Sequence, residues 1–371
     1  MRVLIVTGIW PPDVGGPASH APEFVAWLRS RGIAAEVVTT ASSEPAPRPY
    51  PVHWVARSLP PGVLHAEVAR AVALHGRQAD VIYEISMLGR SAIGSLVARR
   101  PLVVKLPADP AYERARRRGL FTGDLDAFQR QPGGFAIRAL RLARDLELRR
   151  ASHVVCPSAY LRELAVGWGV SPGDVTVVPN PAPPVPELAP REELQRLHGI
   201  DGPTLVFAGR LTRQKTLEVA FAAVRANPEV TLLVVGDGPE RAQLERHADG
   251  QIRFLGAQPR ERVLELFRAA DASLLSSAWE NFPHGVVESL AAGTPVISTA
   301  IGGVAEVVRD GENGLLVPAG DAGALAEAIR RFFADAELRE RLRANAPASL
   351  GAFTADEVYG KLERILVGAL R

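Results

Sequence analysis

The chain has 371 residues, 47% of them apolar and 23% charged, with a formal net charge of +2. That balance excludes a disordered or fibrous polymer and leaves room for two domains, each with its own core. The single cysteine, Cys156, excludes an intrachain disulfide and a cysteine-rich zinc site, and its setting in Ser152-His153-Val154-Val155-Cys156 reads as a buried, inert thiol in a strand. Charge is spread unevenly: residues 1–180 carry 22 Lys+Arg against 15 Asp+Glu, and residues 181–371 carry 21 against 26. The first half is therefore the expected face for an anionic membrane surface or an acidic acceptor. Nucleic acid is disfavoured by the near-neutral total and the lack of an aromatic-basic platform. Lys105, Lys215 and Lys361 are the only lysines, beside 40 arginines.

In chain order, the first apolar run, residues 2–7, opens without a signal-peptide pattern and is too short to span a bilayer, so the cytoplasm is the expected compartment. Further strands are expected at 34–40, 51–56, 80–84, 101–106, 152–156 and 175–179, then at 204–209, 230–236, 251–255, 271–276, 295–298 and 315–317. Amphipathic helical stretches alternate with them, the pattern of parallel sheets covered on both faces. Five prolines in residues 179–186 allow neither helix nor a central strand and mark a boundary. The expected division is 1–182 and 183–350, with a final helix within 351–371 that could return to the first domain. Neither half carries a Gly-x-Gly-x-x-Gly fingerprint or a phosphate-loop lysine motif, so NAD-dependent chemistry and ATP hydrolysis lose support.

Several loops at strand ends carry ligand-type residues. Trp10-Pro11-Pro12-Asp13-Val14-Gly15-Gly16-Pro17 precedes a helix expected from about Ala18 to Arg31, and its glycines permit close backbone approach. Gly209-Arg210-Leu211-Thr212-Arg213-Gln214-Lys215 puts a planar fork and a point charge near a helix N-terminus, a good arrangement for a diphosphate; solvated cations are the plainer reading. Gly236-Asp237-Gly238-Pro239 either approaches a nucleotide or simply turns, with Pro239 expected in a helix's first turn. Glu280 and Glu288 fall on a loop and on the helix after it, where two carboxylates can hold separate hydroxyl-bearing groups of one extended ligand; alternatively one caps and the other is solvated. Gly302-Gly303 is expected to begin a helix with Glu306 in its first turn.

Taken in order, Gly209-Arg210-Leu211 with Lys215, Glu280-Asn281-Phe282-Pro283 with Glu288, Ala292-Gly293-Thr294-Pro295-Val296-Ile297, Gly302-Gly303-Val304-Ala305-Glu306 and Asp310-Gly311-Glu312-Asn313-Gly314 resemble the donor half of the family-4 retaining glycosyltransferases. Pro11-Pro12 with Gly15-Gly16 resembles that family's first loop, while residues 41–170 match only loosely. The resemblance implies an α/β GT-B fold: two Rossmann-like, doubly wound domains facing a central cleft, with a nucleotide-diphosphate sugar on the second domain and a hydroxyl acceptor on the first. It implies diphosphate binding by Arg210 and Lys215, approach by Gly15 and Gly16 from the other domain, donor contact at the glycine turns of Gly209 and Gly236, and base reading near Gly256 and Ala257. Glu280, with the backbone of Asn281, Phe282 and Pro283, would hold the sugar, and Glu288 the ribose; Pro283 offers no N–H where many relatives have glycine. Where many relatives carry a histidine after the fifth strand this chain has none, and Asp109 is either the nearest candidate for acceptor contact or general base or simply a turn residue.

No metal or other cofactor is expected. Asp124-Leu125-Asp126 matches the metal-binding D-x-D of the other large glycosyltransferase fold but lies far from any donor loop. The arginines of residues 114–118 and 138–150, with Phe121, Phe128 and Phe135 among them, form either a peripheral site for the inner membrane face or a solvated helix face. The expected reaction is metal-independent, retaining glycosyl transfer by a front-face route. A nucleotide-sugar epimerase or hydrolase, or a non-catalytic sugar-nucleotide binder, is the alternative.

Overall fold

A computed structural model describes residues 1–11, 13 and 16–370. It divides into two units, one of Met1–Pro179 with Asp356–Arg371, the other of Asn180–Ala355. These divisions fall a few residues from the expected ones, and the C-terminal segment groups with the first unit.

The first unit runs β1 (Arg2–Thr7), α1 (Gly16–Ser30), β2 (Ala34–Ala41), β3 (Val52–Ala56), α2 (Pro61–Gly76), β4 (Val81–Ile85), α3 (Leu88–Ala98), β5 (Leu102–Lys105), α4 (Pro110–Arg117), α5 (Leu125–Arg130), α6 (Phe135–Arg149), β6 (His153–Cys156), α7 (Ala159–Gly167) and β7 (Val175–Val177). Its strands form one sheet ordered β3-β2-β1-β4-β5-β6-β7, and every pairing is parallel. Because strand side chains alternate, both faces must be covered. Leu4 and Val6 enter one core cluster, Val3 and Ile5 the other.

The second unit runs α8 (Arg191–His198), β8 (Thr204–Ala208), α9 (Leu217–Arg225), β9 (Thr231–Val235), α10 (Arg241–Arg246), β10 (Ile252–Gly256), α11 (Arg260–Ala269), β11 (Ala272–Leu275), α12 (His284–Ala291), β12 (Val296–Thr299), β13 (Gly314–Val317), α13 (Ala322–Ala334) and α14 (Ala336–Ala348). Its parallel sheet has the order β10-β9-β8-β11-β12-β13. Leu205 and Phe207 face one cluster and Val206 the other, again by alternation.

The last helix, α15 (Ala355–Gly368), buries Val358, Tyr359, Leu362 and Leu366 in the first unit's core beside Phe24 and Tyr83. The Tyr359 hydroxyl donates to Glu23 at 3.1 Å, and Trp27 Nε1 donates to Asp356 at 3.1 Å. At full burial each apolar side chain stabilises by about 1.5–3 kcal/mol, so this helix is integral to the first unit.

Two local expectations fail. Pro239 lies in the turn before α10 rather than inside it, since the helix begins at Arg241. Gly302-Gly303 begins only a single 3-10 turn, Gly302–Val304, which leaves Glu306 outside it. Among the described residues no helix is long and apolar enough to cross a membrane.

Candidate functional site

In the second unit the strand order reverses at β8 and β11, and the crevice outside the carboxyl ends of such strands is where open α/β sheets bind ligands. A cavity of about 210 Å³ lies there, lined by Gly209, Lys215, Glu280, His284 and Gly285 among other residues. Two loops shape it. Ser276 Oγ donates to the Lys215 carbonyl at 2.8 Å, Gln214 Nε2 to the Trp279 carbonyl at 2.8 Å, and the Thr216 hydroxyl to the Ser276 carbonyl. Thr216 sits at φ 40°, an outlying conformation for a β-branched residue, so the cross-loop bonds hold a strained backbone beside Lys215.

Within this frame the Lys215 ammonium donates to the Glu280 carboxylate, which also accepts from Ser277 Oγ at 2.8 Å and is 7% exposed. Gly303 N donates to the Glu280 carbonyl at 3.1 Å, so the Gly302–Val304 turn braces the same loop. Arg210 follows Gly209 and is exposed. Gly236 has φ 134°, and a Cβ there would collide with the Gly209 carbonyl; one at Gly238 would collide with the Leu211 carbonyl. The loops after β8 and β9 thus lie backbone on backbone, and Leu211 N donates to the Asp237 carbonyl at 2.9 Å.

Glu288 lies on α12, half-buried, with Arg260 Nε 3.4 Å away. Burial raises its pKa, against the opposing pull of Arg260. Gly256 closes β10, its carbonyl accepting from Gly236 N at 2.8 Å, and Ala257 beyond it is exposed. Phe282 is 8% exposed with its ring in the core, its carbonyl accepts from His284 N at 3.2 Å, and Pro283 caps α12. The structure therefore gathers Gly209, Lys215, Glu280, Phe282 and Pro283 around one cavity. Gly285 also lines it, and a Cβ there would stand 3.2 Å from the Ala208 carbonyl, a close approach that the sequence analysis did not single out.

In the first unit Gly15 falls outside the described residues, and Gly16 opens α1 after β1. Asp109 does not take the acceptor-facing role expected of it. Its carboxylate is fully buried, caps α4 by accepting from Ala111 N at 2.8 Å, and accepts from Arg144 Nη1 and Gln129 Nε2, both at 2.9 Å. With its oxygens so engaged it is a structural ion-pair partner. Asp124 caps α5, and Asp126 accepts from the Tyr160 hydroxyl at 2.7 Å. The expected stripe of Phe121, Phe128 and Phe135 is also split, because Phe128 is fully buried against Phe121 and Tyr112 while Phe135 is 89% exposed. Cys156 is free and buried, and burial pushes its thiol up to about 12.

A second cavity, of about 230 Å³, lies at the carboxyl ends of β4 and β5 and is lined by Glu84, Ser86 and Lys105 among other residues. Glu84 was not singled out from sequence, although an acid inside Val81-Ile82-Tyr83-Glu84-Ile85 is the signal that marks it. It is 1% exposed, and burial holds its carboxyl at about 8. Lys105 is 4% exposed, with Nζ 3.2 Å from His20 Nε2, and burial holds its amine at about 7.

Comparison with known proteins bears on both units. Residues 15–181 match the family described as Glycosyl transferase 4-like domain, and residues 190–349 match Glycosyl transferases group 1. The lipopolysaccharide core biosynthesis glycosyltransferase LpsE of Rhizobium meliloti is 37% identical over 164 residues, 43% of this chain and 48% of that protein. The chain thus spans about half the length of that relative. The D-inositol 3-phosphate glycosyltransferase of Xylanimonas cellulosilytica is 28% identical over 388 residues, 93% of this chain and 89% of that protein. Among solved structures, sucrose-phosphate synthase from Thermosynechococcus elongatus superposes with a TM-score of 0.80 at 21% identity, covering 99% of each chain. Anabaena HepE in complex with UDP-glucose superposes at 0.77 and 23% identity, covering 99% of this chain and 100% of that one. With a 4-like domain over its first unit and a group 1 domain over its second, the chain belongs to the family-4 glycosyltransferases of GT-B fold.

Proposed function

We propose that this glycosyltransferase moves a sugar from a nucleotide-diphosphate donor to an acceptor hydroxyl, with retention of configuration and without a metal. The observation that carries the reading is the Lys215–Glu280 pair held in the cavity at the ends of β8 and β11, with Arg210 on the adjoining loop. In this reading Glu280 accepts hydrogen bonds from sugar hydroxyls, and Glu288, on α12, accepts from the ribose. Departure of the nucleotide diphosphate breaks the bond from the anomeric carbon to the phosphate oxygen and leaves negative charge there. Lys215 and Arg210 stabilise that charge more as it develops than in the ground state. The acceptor oxygen bonds to the anomeric carbon from the face the diphosphate leaves, and its proton passes to a phosphate oxygen. The structurally similar Anabaena HepE, solved in complex with UDP and with UDP-glucose, supports a nucleotide-sugar donor.

Peripheral membrane association belongs to the same proposal. Phe135, Leu142 and Leu146 are 89%, 60% and 56% exposed on α6, spaced to share one face, with Arg138 and Arg149 on the same helix. Flotation with anionic against neutral vesicles tests this, and equal recovery with both removes it.

The catalytic reading is tested by screening nucleotide sugars for a rise in melting temperature, then assaying transfer with EDTA present and determining the product anomer by NMR. Retained configuration with activity unchanged by EDTA is expected. Inverted product or complete loss with EDTA refutes the corresponding part.

A further inference from the structure

Glu84 is the penultimate residue of β4. Alternation along the strand sends it to the same face as Ile82, toward α3. Its Oε1 accepts from Met87 N, while Oε2 is buried with no hydrogen-bond partner among the described residues. A buried polar atom left unmatched is destabilising, and such atoms are uncommon in folded proteins. This one belongs to a side chain that lines the 230 Å³ cavity. Ser86, on the same wall, is held at φ 69°, a left-handed conformation unusual for serine. The remaining wall combines apolar Leu88 and Leu106 with Lys105 and the Glu113, Arg114 and Arg117 side of α4.

We propose that this cavity is an acceptor subsite for one neutral polyhydroxylated ring, a hexose or cyclitol unit, with hydroxyls bonded to Glu84, Ser86 and Lys105. The inference deepens the transfer reading above and rests on it. A carboxyl group in its acid form donates through one oxygen and accepts through the other, matching a hydroxyl in both senses. The apolar walls suit the C–H face of such a ring. An anionic group fits less well, because the two arginines of the wall already have acidic neighbours: Arg114 Nη2 lies 3.4 Å from Glu147 Oε2, and Glu113 interacts with Arg117. The volume is that of roughly eight waters at about 30 Å³ each, enough for one ring. Burial supports this assignment by holding Glu84 up to about 8 and Lys105 down to about 7, so that neither of these two groups carries a full charge near neutrality.

The experiment uses the full chain and the donor found in the nucleotide-sugar screen. Methyl α-D-glucoside, methyl α-D-mannoside, myo-inositol and the phosphates of the parent rings serve as acceptor probes. Neutral rings are expected to accept sugar. Glu84→Leu is expected to raise the acceptor KM at least tenfold with donor affinity within twofold of the parent, and Glu84→Gln, which still donates and accepts, to stay within threefold. Ala108→Trp, which fills the cavity from its half-buried wall, keeps the test open if Glu84→Leu fails to fold, and is expected to raise KM similarly. Unchanged acceptor KM in both Glu84→Leu and Ala108→Trp overturns the subsite, as does a tenfold preference for the phosphorylated rings. If no nucleotide sugar binds the parent chain, the transfer reading itself fails, a result distinct from loss of the subsite alone.

Discussion

Substituting Glu84 by glutamine is expected to flatten the pH dependence of the first unit's stability. In the fold, burial holds this carboxyl at about 8, against an ordinary 4.5. A raised pKa means that the folded state keeps a proton the unfolded chain releases, so the contribution is fully present below about pH 4.5 and is lost as pH rises to about 8. The slope is about 1.4 kcal/mol per pH unit, which amounts to about 2.7 kcal/mol between pH 5 and pH 7. Lys105 is present in parent and variant alike, so its contribution drops out of their difference. Its amine is held at about 7 against 10.5, so its stabilising contribution is complete above 10.5 and is lost as pH falls through about 7. The assay is urea unfolding of parent and Glu84→Gln at half-unit steps from pH 5 to pH 7, followed by tryptophan fluorescence. Trp10, Trp27, Trp54 and Trp168 belong to the first unit and only Trp279 to the second, so the signal reports chiefly the unit under test. The parent should lose stability relative to the variant as pH rises. Parallel curves, within about 0.5 kcal/mol across the window, would refute the assignment of a protonated buried acid.

Lys215→Ala should weaken binding of the donor found in the screen by tenfold or more, because it removes a cation from the cavity and leaves Glu280 without its ion-pair partner; calorimetry that finds no change removes Lys215 from the site. Gly236→Ala places a Cβ against the Gly209 carbonyl at a φ that L residues avoid, and should destabilise the second unit by about 2–4 kcal/mol, read from thermal unfolding of the isolated 180–355 segment if that folds alone, or of the full chain otherwise. Deleting residues 356–371 removes four buried apolar side chains worth at most roughly 6–12 kcal/mol, comparable with the whole stability of a domain, so limited proteolysis should digest residues 1–179 and spare the second unit.

The strands were legible because a parallel sheet covered on both faces needs nearly continuous apolar runs, and all thirteen expected strands occur within a residue or two of their places. Gly209, Lys215 and Glu280 were legible as a group because each lies in a loop that leaves a strand end, where topology converges loops that are distant in sequence. Asp109 misled for a physical reason: its partner Arg144 is 35 residues away on α6, and no local pattern announces that buried pair. Phe128 misled likewise, since nothing near it in the chain says that Tyr112 and Phe121 close over it. Glu84 did leave a trace, an acid breaking an apolar strand, but the lone oxygen and the cavity beside it come from packing between β4, β5 and α4.

The return of α15 to the first sheet imposes an order on synthesis. When Pro179 leaves the ribosome, the face formed by Val3, Ile5, Phe24 and Tyr83 still lacks Val358, Tyr359, Leu362 and Leu366, which are translated about 180 residues later. At about 5–20 residues per second that interval is roughly 10–40 s, long compared with the folding time of most domains. The second unit, an uninterrupted stretch, can be finished first. The nascent chain therefore carries an uncovered greasy face through half of its own translation, the period in which a chaperone or a neighbouring nascent chain has its best opportunity to bind.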